Sequence, residues 1–147
     1  MRAESRWVAG LLLVILPTVM LGGGSLLGML VWDPAYAANQ LRQDLWRAGH
    51  AHAGVLLVLS LVILLWVDGA RLSSGTKWFV RFSTPSAAIL MPAAFFLSVL
   101  SPDAREPSSL IHLAYVGAIP LGAGALTLGV GLLRAGGGDA SRTPVVR

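Results

Sequence analysis

The chain has 147 residues, of which 55% are hydrophobic and only 12% are charged. A water-soluble protein of this size cannot bury so much apolar surface, so the composition excludes an ordinary soluble domain. The formal charge of +4 comes from basic residues that are scattered rather than interleaved with aromatics, which argues against a nucleic-acid-binding surface. The absence of cysteine excludes disulfides, thiolate-bound zinc, iron–sulfur clusters and haem attached through C-x-x-C-H.

Four stretches of the chain are apolar enough to cross a bilayer, since about 20 apolar residues span a hydrocarbon core of roughly 30 Å. We therefore predict an all-α integral membrane bundle of four transmembrane helices, formed by a single domain over residues 1–134. The predicted spans are residues 7–32, 48–67, 79–100 and 109–133. The third reaches back past Arg81, whose long side chain can extend toward the headgroups. Residues 135–147, rich in glycine, are predicted to form a disordered cytoplasmic tail.

All five tryptophans lie at predicted span ends, where the amphipathic indole prefers the membrane interface. They are Trp7, Trp32, Trp46, Trp66 and Trp78. Because the spans were drawn from apolar length alone, this placement supports them independently.

Basic residues predict the orientation, because cytoplasmic loops collect Lys and Arg. One side has eight of them: Arg2, Arg6, Arg71, Lys77, Arg81, Arg134, Arg142 and Arg147. The other side has three: Arg42, Arg47 and Arg105. Both termini are therefore predicted to be cytoplasmic. Lys77 is the sole lysine, and this bias toward arginine, with many Ala and Gly residues, is typical of a GC-rich bacterial genome. We expect a multi-pass protein of the bacterial inner (plasma) membrane.

The first span has an alternative interpretation. Arg2 and Arg6, the apolar stretch and the sequence Ala35-Tyr36-Ala37 are also features of a cleavable signal peptide. The apolar core of a signal peptide has about 7–15 residues, whereas this stretch is close to a full membrane thickness. We favour a retained span; cleavage would leave three.

The first outer loop is predicted to contain a short interfacial helix. Asp33 offers an N-cap acceptor, and Pro34 suits the first helical position because its missing amide hydrogen is not needed there. Leu41, Leu45 and Ala48 then recur at helical spacing. The helix is expected to run almost directly into the second span.

Small residues recur three or four positions apart in two spans, a spacing that lets helix backbones approach closely in lipid. The fourth span carries Ala114, Ala118, Gly122, Ala125 and Gly129, and the first carries Gly24 and Gly28. We predict that these rows pack helices together.

The three histidines are the residues most suggestive of chemistry. His50 and His52 open the second span and His112 opens the fourth, and both spans enter from the outer side, so the three share one depth. An ionisable side chain within a span is a functional candidate because it is costly to bury. Imidazole is also a natural ligand for haem iron, copper or zinc in a chain without cysteine. We predict that these histidines bind a b-type haem or a copper or zinc ion near the outer face.

Helix geometry limits how these ligands combine. His50 and His52 are about 200° apart around a regular helix, so they cannot bind one metal. One of them, with His52 slightly favoured, is expected to pair with His112. Tyr115, one turn beyond His112, is a candidate for a supporting hydrogen bond within the same cofactor site.

The segment Gly49-His50-Ala51-His52-Ala53-Gly54 resembles the H-x-H element of haem-copper oxidase subunit I, whose two histidines bind different haems from opposite faces of one helix. The resemblance covers six residues and implies haem-ligand roles for His50 and His52. The further histidines that bind copper in that family are absent, so oxidase activity is not expected. The chain as a whole resembles small, uncharacterised four-span bacterial membrane proteins with a similar segment and a Met-Pro-x-x-Phe-Phe-Leu-Ser stretch, here Met91 to Ser98.

Three functions follow from these features. The first is electron transfer, or support of a respiratory complex, through the histidine site. The second is a structural or accessory membrane subunit without a cofactor, in which the histidines are interfacial residues. The third is a small transporter, which with four spans would work as a homo-oligomer or larger complex. The chain has no nucleophile constellation, phosphate-binding glycine loop or intramembrane carboxylate pair, so no independent catalytic activity is expected. Asp68 is expected to pair with Arg71 or to face water.

Overall fold

The computed structural model describes residues 1–139, and within this part of the chain all regular structure is helical. Five α-helices occur in order: α1 (Ala3–Trp32), α2 (Pro34–Ala38), α3 (Gln40–Trp66), α4 (Ser74–Leu97) and α5 (Leu113–Asp139). A 3₁₀ turn over Ser109–His112 leads into α5.

Four segments are long and apolar enough to cross a membrane: Ala3–Trp32, Gln40–Trp66, Ser74–Leu97 and Ser109–Gly137. The prediction of an all-α membrane protein with four spans is confirmed at this level. The helix α3 begins at Gln40 rather than at residue 48, because the Asn39 side chain accepts a hydrogen bond from the Arg42 amide and caps the helix. The last helix reaches Asp139, so the predicted tail is helical where it starts, and residues 140–147 lie outside the described residues.

The loop after α1 folds as its residues suggest. Asp33 Oδ1 accepts hydrogen bonds from the amides of Ala35 and Tyr36, at 3.0 and 3.1 Å, and Pro34 opens the five-residue helix α2. Asn39 interrupts the helix before α3 begins. A short helix therefore leads almost directly into the second span, while its position at the membrane interface stays a prediction.

The spans are arranged in the order α1, α3, α4, α5. The central helix α4 packs against both α3 and α5, whereas α1 packs mainly against α3. At one end of the bundle the Arg2 amide donates to Asp68, and the Arg71 amide donates to the Gly131 carbonyl at 3.0 Å. The start of α1 and the C-terminal part of α5 thus share one end. That this end is cytoplasmic stays a prediction.

Glycines bring α5 close to α4, but they are not those of the predicted row. A Cβ built on Gly117 would lie 3.1 Å from Leu90 Cβ, one on Gly124 would overlap the Ser83 side chain, and one on Gly131 would lie 2.7 Å from Leu72 Cγ. Small residues occur on two faces of this helix, and their spacing alone does not identify the face that meets α4. Four residues of the row predicted in the fourth span are exposed within residues 1–139, so their packing against another helix stays a prediction: Ala118, Gly122, Ala125 and Gly129.

Candidate functional site

The histidine segment of α3 forms an uninterrupted helix, so the two imidazoles leave it on different sides. His52 faces α4, where its ring centroid lies 5.0 Å from that of Phe95. His50 faces α1, against Gly22 and Gly23. The predicted separation of about 200° around the helix explains why His52 and His50 face different neighbouring helices.

His52 is held by its own helix. Its Nδ1 lies 2.7 Å from the Ala48 carbonyl oxygen. Because a carbonyl oxygen only accepts hydrogen bonds, Nδ1 is the donor in this arrangement, and in a neutral imidazole Nε2 then carries the lone pair. A ligating imidazole commonly has this combination, with one nitrogen bonded to a carbonyl and the other available.

The position of His50 depends on glycine in α1. A Cβ built on Gly23 would lie 2.9 Å from His50 Nε2, which is too close for any side chain unless the imidazole moves. Gly24 and Gly28, the predicted small-residue pair, do not meet α3, since Gly24 has no neighbouring atom within 4 Å and Gly28 is nearest to Trp32 of the same helix. The contact between α1 and α3 therefore uses Gly22 and Gly23 instead.

His112 ends the 3₁₀ turn before α5 and is exposed. Its ring stacks on Tyr115 with centroids 6.0 Å apart and planes 23° from parallel. The tyrosine side chain is itself 68% exposed. The two residues are neighbours as predicted, but they are related by stacking; the hydrogen bond expected between the tyrosine and the site is not formed.

Helix register brings the three histidines to a similar depth without bringing them together. His52 is beside Phe95 of α4, and His112 precedes Gly117, which contacts Leu90 and Met91 on the same antiparallel helix. Phe95 is one turn beyond Met91 along α4. Because α5 is antiparallel to α4, the level of Phe95 corresponds to one turn before Gly117, which is next to His112. Among residues 1–139, however, no group of three or more His, Cys, Asp or Glu side chains is arranged to hold a metal ion. A three-histidine centre is not assembled within one chain.

Sequence reasoning missed a second polar cluster, at the end of the bundle where α3 begins and α4 ends. Arg42, predicted to be only an outer-side charge, is 5% exposed and donates from Nε to the Val99 carbonyl at 3.1 Å. Its guanidinium carbon lies 4.6 Å from the Trp46 ring centroid, and Trp46 Nε1 donates to the Phe96 carbonyl at 3.2 Å. Trp46 thus satisfies a carbonyl in the last turn of α4, which lacks a partner within the helix, and Arg42 satisfies a carbonyl just beyond the end of that helix. The sequence signal for this cluster was the spacing of Arg42 and Trp46, which are one helical turn apart.

A third cluster joins α1, α3 and α4 at the opposite end. Asp68 pairs with Arg81, at 2.8 Å, and not with Arg71 as was considered from the sequence. Ser5 connects them, because its hydroxyl donates to Asp68 at 3.0 Å and accepts from Arg81 Nε at 2.9 Å. Arg81 is only 3% exposed, so its side chain turns into the protein. The predicted extension of this side chain toward the headgroups is not observed. A buried carboxylate attracts the guanidinium more strongly than the solvated interface does.

The carboxyl of Asp68 lies just beyond the end of α3. Burial alone would raise its pKa, but hydrogen bonds from the Arg2 amide, Arg81 and Ser5 favour the charged form. Their combined effect lowers the pKa of Asp68 below its usual value. The cluster links the start of α1 and the N-terminal half of α4 to the residue just beyond the end of α3.

The chain matches no protein-family model, no curated protein and no solved structure. Functional inference therefore rests on the geometry of the chain.

Proposed function

We propose that this chain is an accessory subunit of a membrane assembly and is held to its neighbours through one face of α5. The observation that carries the proposal is a row of small residues that no described part of the chain covers. The row consists of Ala118, Gly122, Ala125 and Gly129, all exposed. A Cβ built on either glycine would meet no neighbouring atom within 4 Å.

Exposed leucines are ordinary in a membrane protein, because lipid tails cover them. Small residues at helical spacing differ, since they leave a shallow groove in which a second helix backbone can pack closely. The other face of α5 already packs in this way, through Gly117 and Gly124 against α4 and through Gly131 against Leu72, just before α4. The exposed row offers the same kind of surface to a helix from a second copy or from a larger complex.

The test is the size of the assembly in native membranes and in mild detergent. Crosslinking and light scattering of the wild type should find a species larger than the monomer. Leucine at both Gly122 and Gly129 should convert it to monomers, because the added side chains fill the groove. Gly10→Leu is a matched control, as Gly10 is an exposed membrane-span glycine outside the row. If wild type is monomeric in native membranes, or if the double variant assembles normally, the proposal is wrong.

Histidine variants separate this function from a cofactor role. If the chain is a cofactor-free subunit, His52→Ala and His112→Ala should leave the assembly unchanged, since neither residue belongs to the exposed row. A loss of assembly in both variants would instead tie association to the histidines.

A haem or metal site remains a second candidate function, for electron transfer or support of a respiratory complex. It is favoured by His52, whose protonated Nδ1 leaves Nε2 available, and by His112, whose exposed ring can reach a neighbouring chain. Because the imidazoles of one chain face different neighbours, we infer that ligands from more than one copy would complete such a site, with His50, His52 and His112 as candidates and Tyr115 beside them.

An optical spectrum of the purified protein, reduced minus oxidised, tests this candidate together with metal analysis of the same sample. Cells supplied with haem and metals should yield protein with a b-type spectrum or a bound copper or zinc ion. Substitution of His52 or His112 by alanine should remove the spectrum or the bound ion, whereas Trp66→Phe, at the opposite end of α3, should not. A colourless, metal-free preparation would eliminate the idea.

A further inference from the structure

We propose that the groove between the outer ends of α1 and α3 binds a phospholipid, whose phosphate is held by Arg47. The groove has a volume of about 370 Å³. Its remaining lining comes from α1: Gly23, Leu26, Leu27 and Leu30. It therefore combines a cationic edge on one helix with an aliphatic wall on the other, which is the chemistry of an anionic headgroup joined to an acyl chain.

The polar edge of this groove is on one face of α3. Arg47 and His50 are three residues apart, so they point the same way around the helix. The missing side chain at Gly23 lets the His50 ring lie against α1, with Nε2 2.9 Å from the position that a Cβ would take, so His50 closes the deep end of the groove. A phosphate at the other end of the groove can accept paired hydrogen bonds from the Arg47 guanidinium.

Arg47 is the cation that lines this groove. Arg42 is buried, and its donors are directed to the carbonyls of Val99 and Leu100, just after α4. Arg47 is exposed and makes one hydrogen bond, from Nη2 to Gln43 Oε1 at 3.0 Å. Within residues 1–139 the salt bridge between Asp68 and Arg81 is the only one found, so no carboxylate neutralises Arg47 there. Guanidinium binds phosphate through paired N–H donors, which favours a phosphate group as its partner.

The depth of the groove suits a lipid with its headgroup at the interface. Trp32, 82% exposed at the end of α1, is an interfacial marker close to Leu30. Leu26 and Leu27 lie about one turn deeper along the same helix. An acyl chain attached to a phosphate at Arg47 would therefore run along the leucines into the membrane.

The experiment is native mass spectrometry of the full-length protein in mild detergent, with dioleoyl phosphatidylglycerol added. We expect Arg47→Gln to weaken retention about fivefold, the effect of one interfacial basic residue near an anionic lipid. His50→Gln should weaken retention less than Arg47→Gln, because His50 lies at the deep end of the groove. Arg105→Gln is the matched control, because Arg105 is an exposed basic residue on the same side that does not line this groove.

Two outcomes would overturn the proposal. Equal retention of phosphatidylglycerol by the Arg47 and Arg105 variants would show that the groove cation makes no specific contact. Equal retention of dioleoylglycerol, which has the same chains and no phosphate, would show that only the apolar wall contributes. Far-ultraviolet circular dichroism of each variant confirms that a lost adduct does not reflect lost folding.

Discussion

The buried ion pair between Asp68 and Arg81 is the residue-scale feature with the largest consequence for stability. Ion pairs in low dielectric depend on both partners, because removal of one leaves the other without compensation. Here the exposed fractions are 12% for the aspartate side chain and 3% for the arginine side chain. Ser5 extends the pair to α1, so three helices depend on one carboxylate.

We expect Asp68→Asn to lower the free energy of unfolding by about 3 kcal/mol, because it leaves the Arg81 guanidinium buried without a countercharge. Thermal unfolding in detergent measures the loss. Asp103→Asn, at an exposed site in the outer turn, should have almost no effect and serves as the control. Equal destabilisation by both variants would contradict this role for the pair.

The same carboxylate predicts a pH dependence. A pKa lower in the folded than in the unfolded state means that the unfolded state binds more protons as the pH falls. The stabilisation is therefore complete above the ordinary aspartate pKa of about 3.9 and is lost as the pH falls through the lower folded value. The difference in stability between wild type and Asp68→Asn should shrink in this acidic range.

At the scale of elements, α4 organises the bundle because it packs against both α3 and α5 and has both ends tied. Its N-terminus is capped by Ser73, whose hydroxyl accepts from the Thr76 amide at 3.2 Å. At its C-terminal end, Trp46 of α3 donates to the Phe96 carbonyl in the last turn, and Arg42 of α3 donates to the Val99 carbonyl just after the helix. A helix end within a membrane protein requires such donors, because lipid cannot hydrogen-bond free carbonyls.

A conservative exchange tests this C-terminal cap. Arg42→Lys should destabilise the protein by about 1–2 kcal/mol, since an ammonium group cannot replace the planar donors that reach Val99 and stack on Trp46. Arg47→Lys is the matched control, because it makes the same exchange at an exposed position and should have little effect on thermal unfolding. Similar melting temperatures for the two variants would argue that the Arg42 contacts contribute nothing.

At the scale of the whole molecule, the spans form a series in which the central helices are better covered than α1. Within the most apolar window of each span, 39% of residues are buried for α4 but only 6% for α1. The helices at the two ends of this series, α1 and α5, therefore present most of their surface to lipid or to other chains. This exposure leaves room for both the proposed assembly face on α5 and the proposed lipid site beside α1.

Cysteine pairs can test the helix register, since the natural chain contains no cysteine. Cβ atoms built on Gly49 and Gly117 would lie 3.2 Å from Phe95 Cβ and 3.1 Å from Leu90 Cβ, close to disulfide spacing. Cysteines at positions 49 and 95, or 90 and 117, should therefore form disulfides on mild oxidation and shift the band on a non-reducing gel. Cysteines at positions 90 and 122 should not, because Gly122 faces away from α4.

The sequence by itself determined the membrane class, the four spans and the start of α2, because apolar length and local capping depend on neighbouring residues alone. It also identified the angular separation of His50 and His52, which follows from helix geometry. Only the tertiary structure decided that Arg81 pairs with Asp68, that Arg42 caps α4, and that Gly117, Gly124 and Gly131 form the packed face of α5. These contacts join residues distant in the chain, so their existence depends on how each helix is rotated about its axis. In lipid, where apolar residues cover every face, the hydrophobic pattern does not specify that rotation.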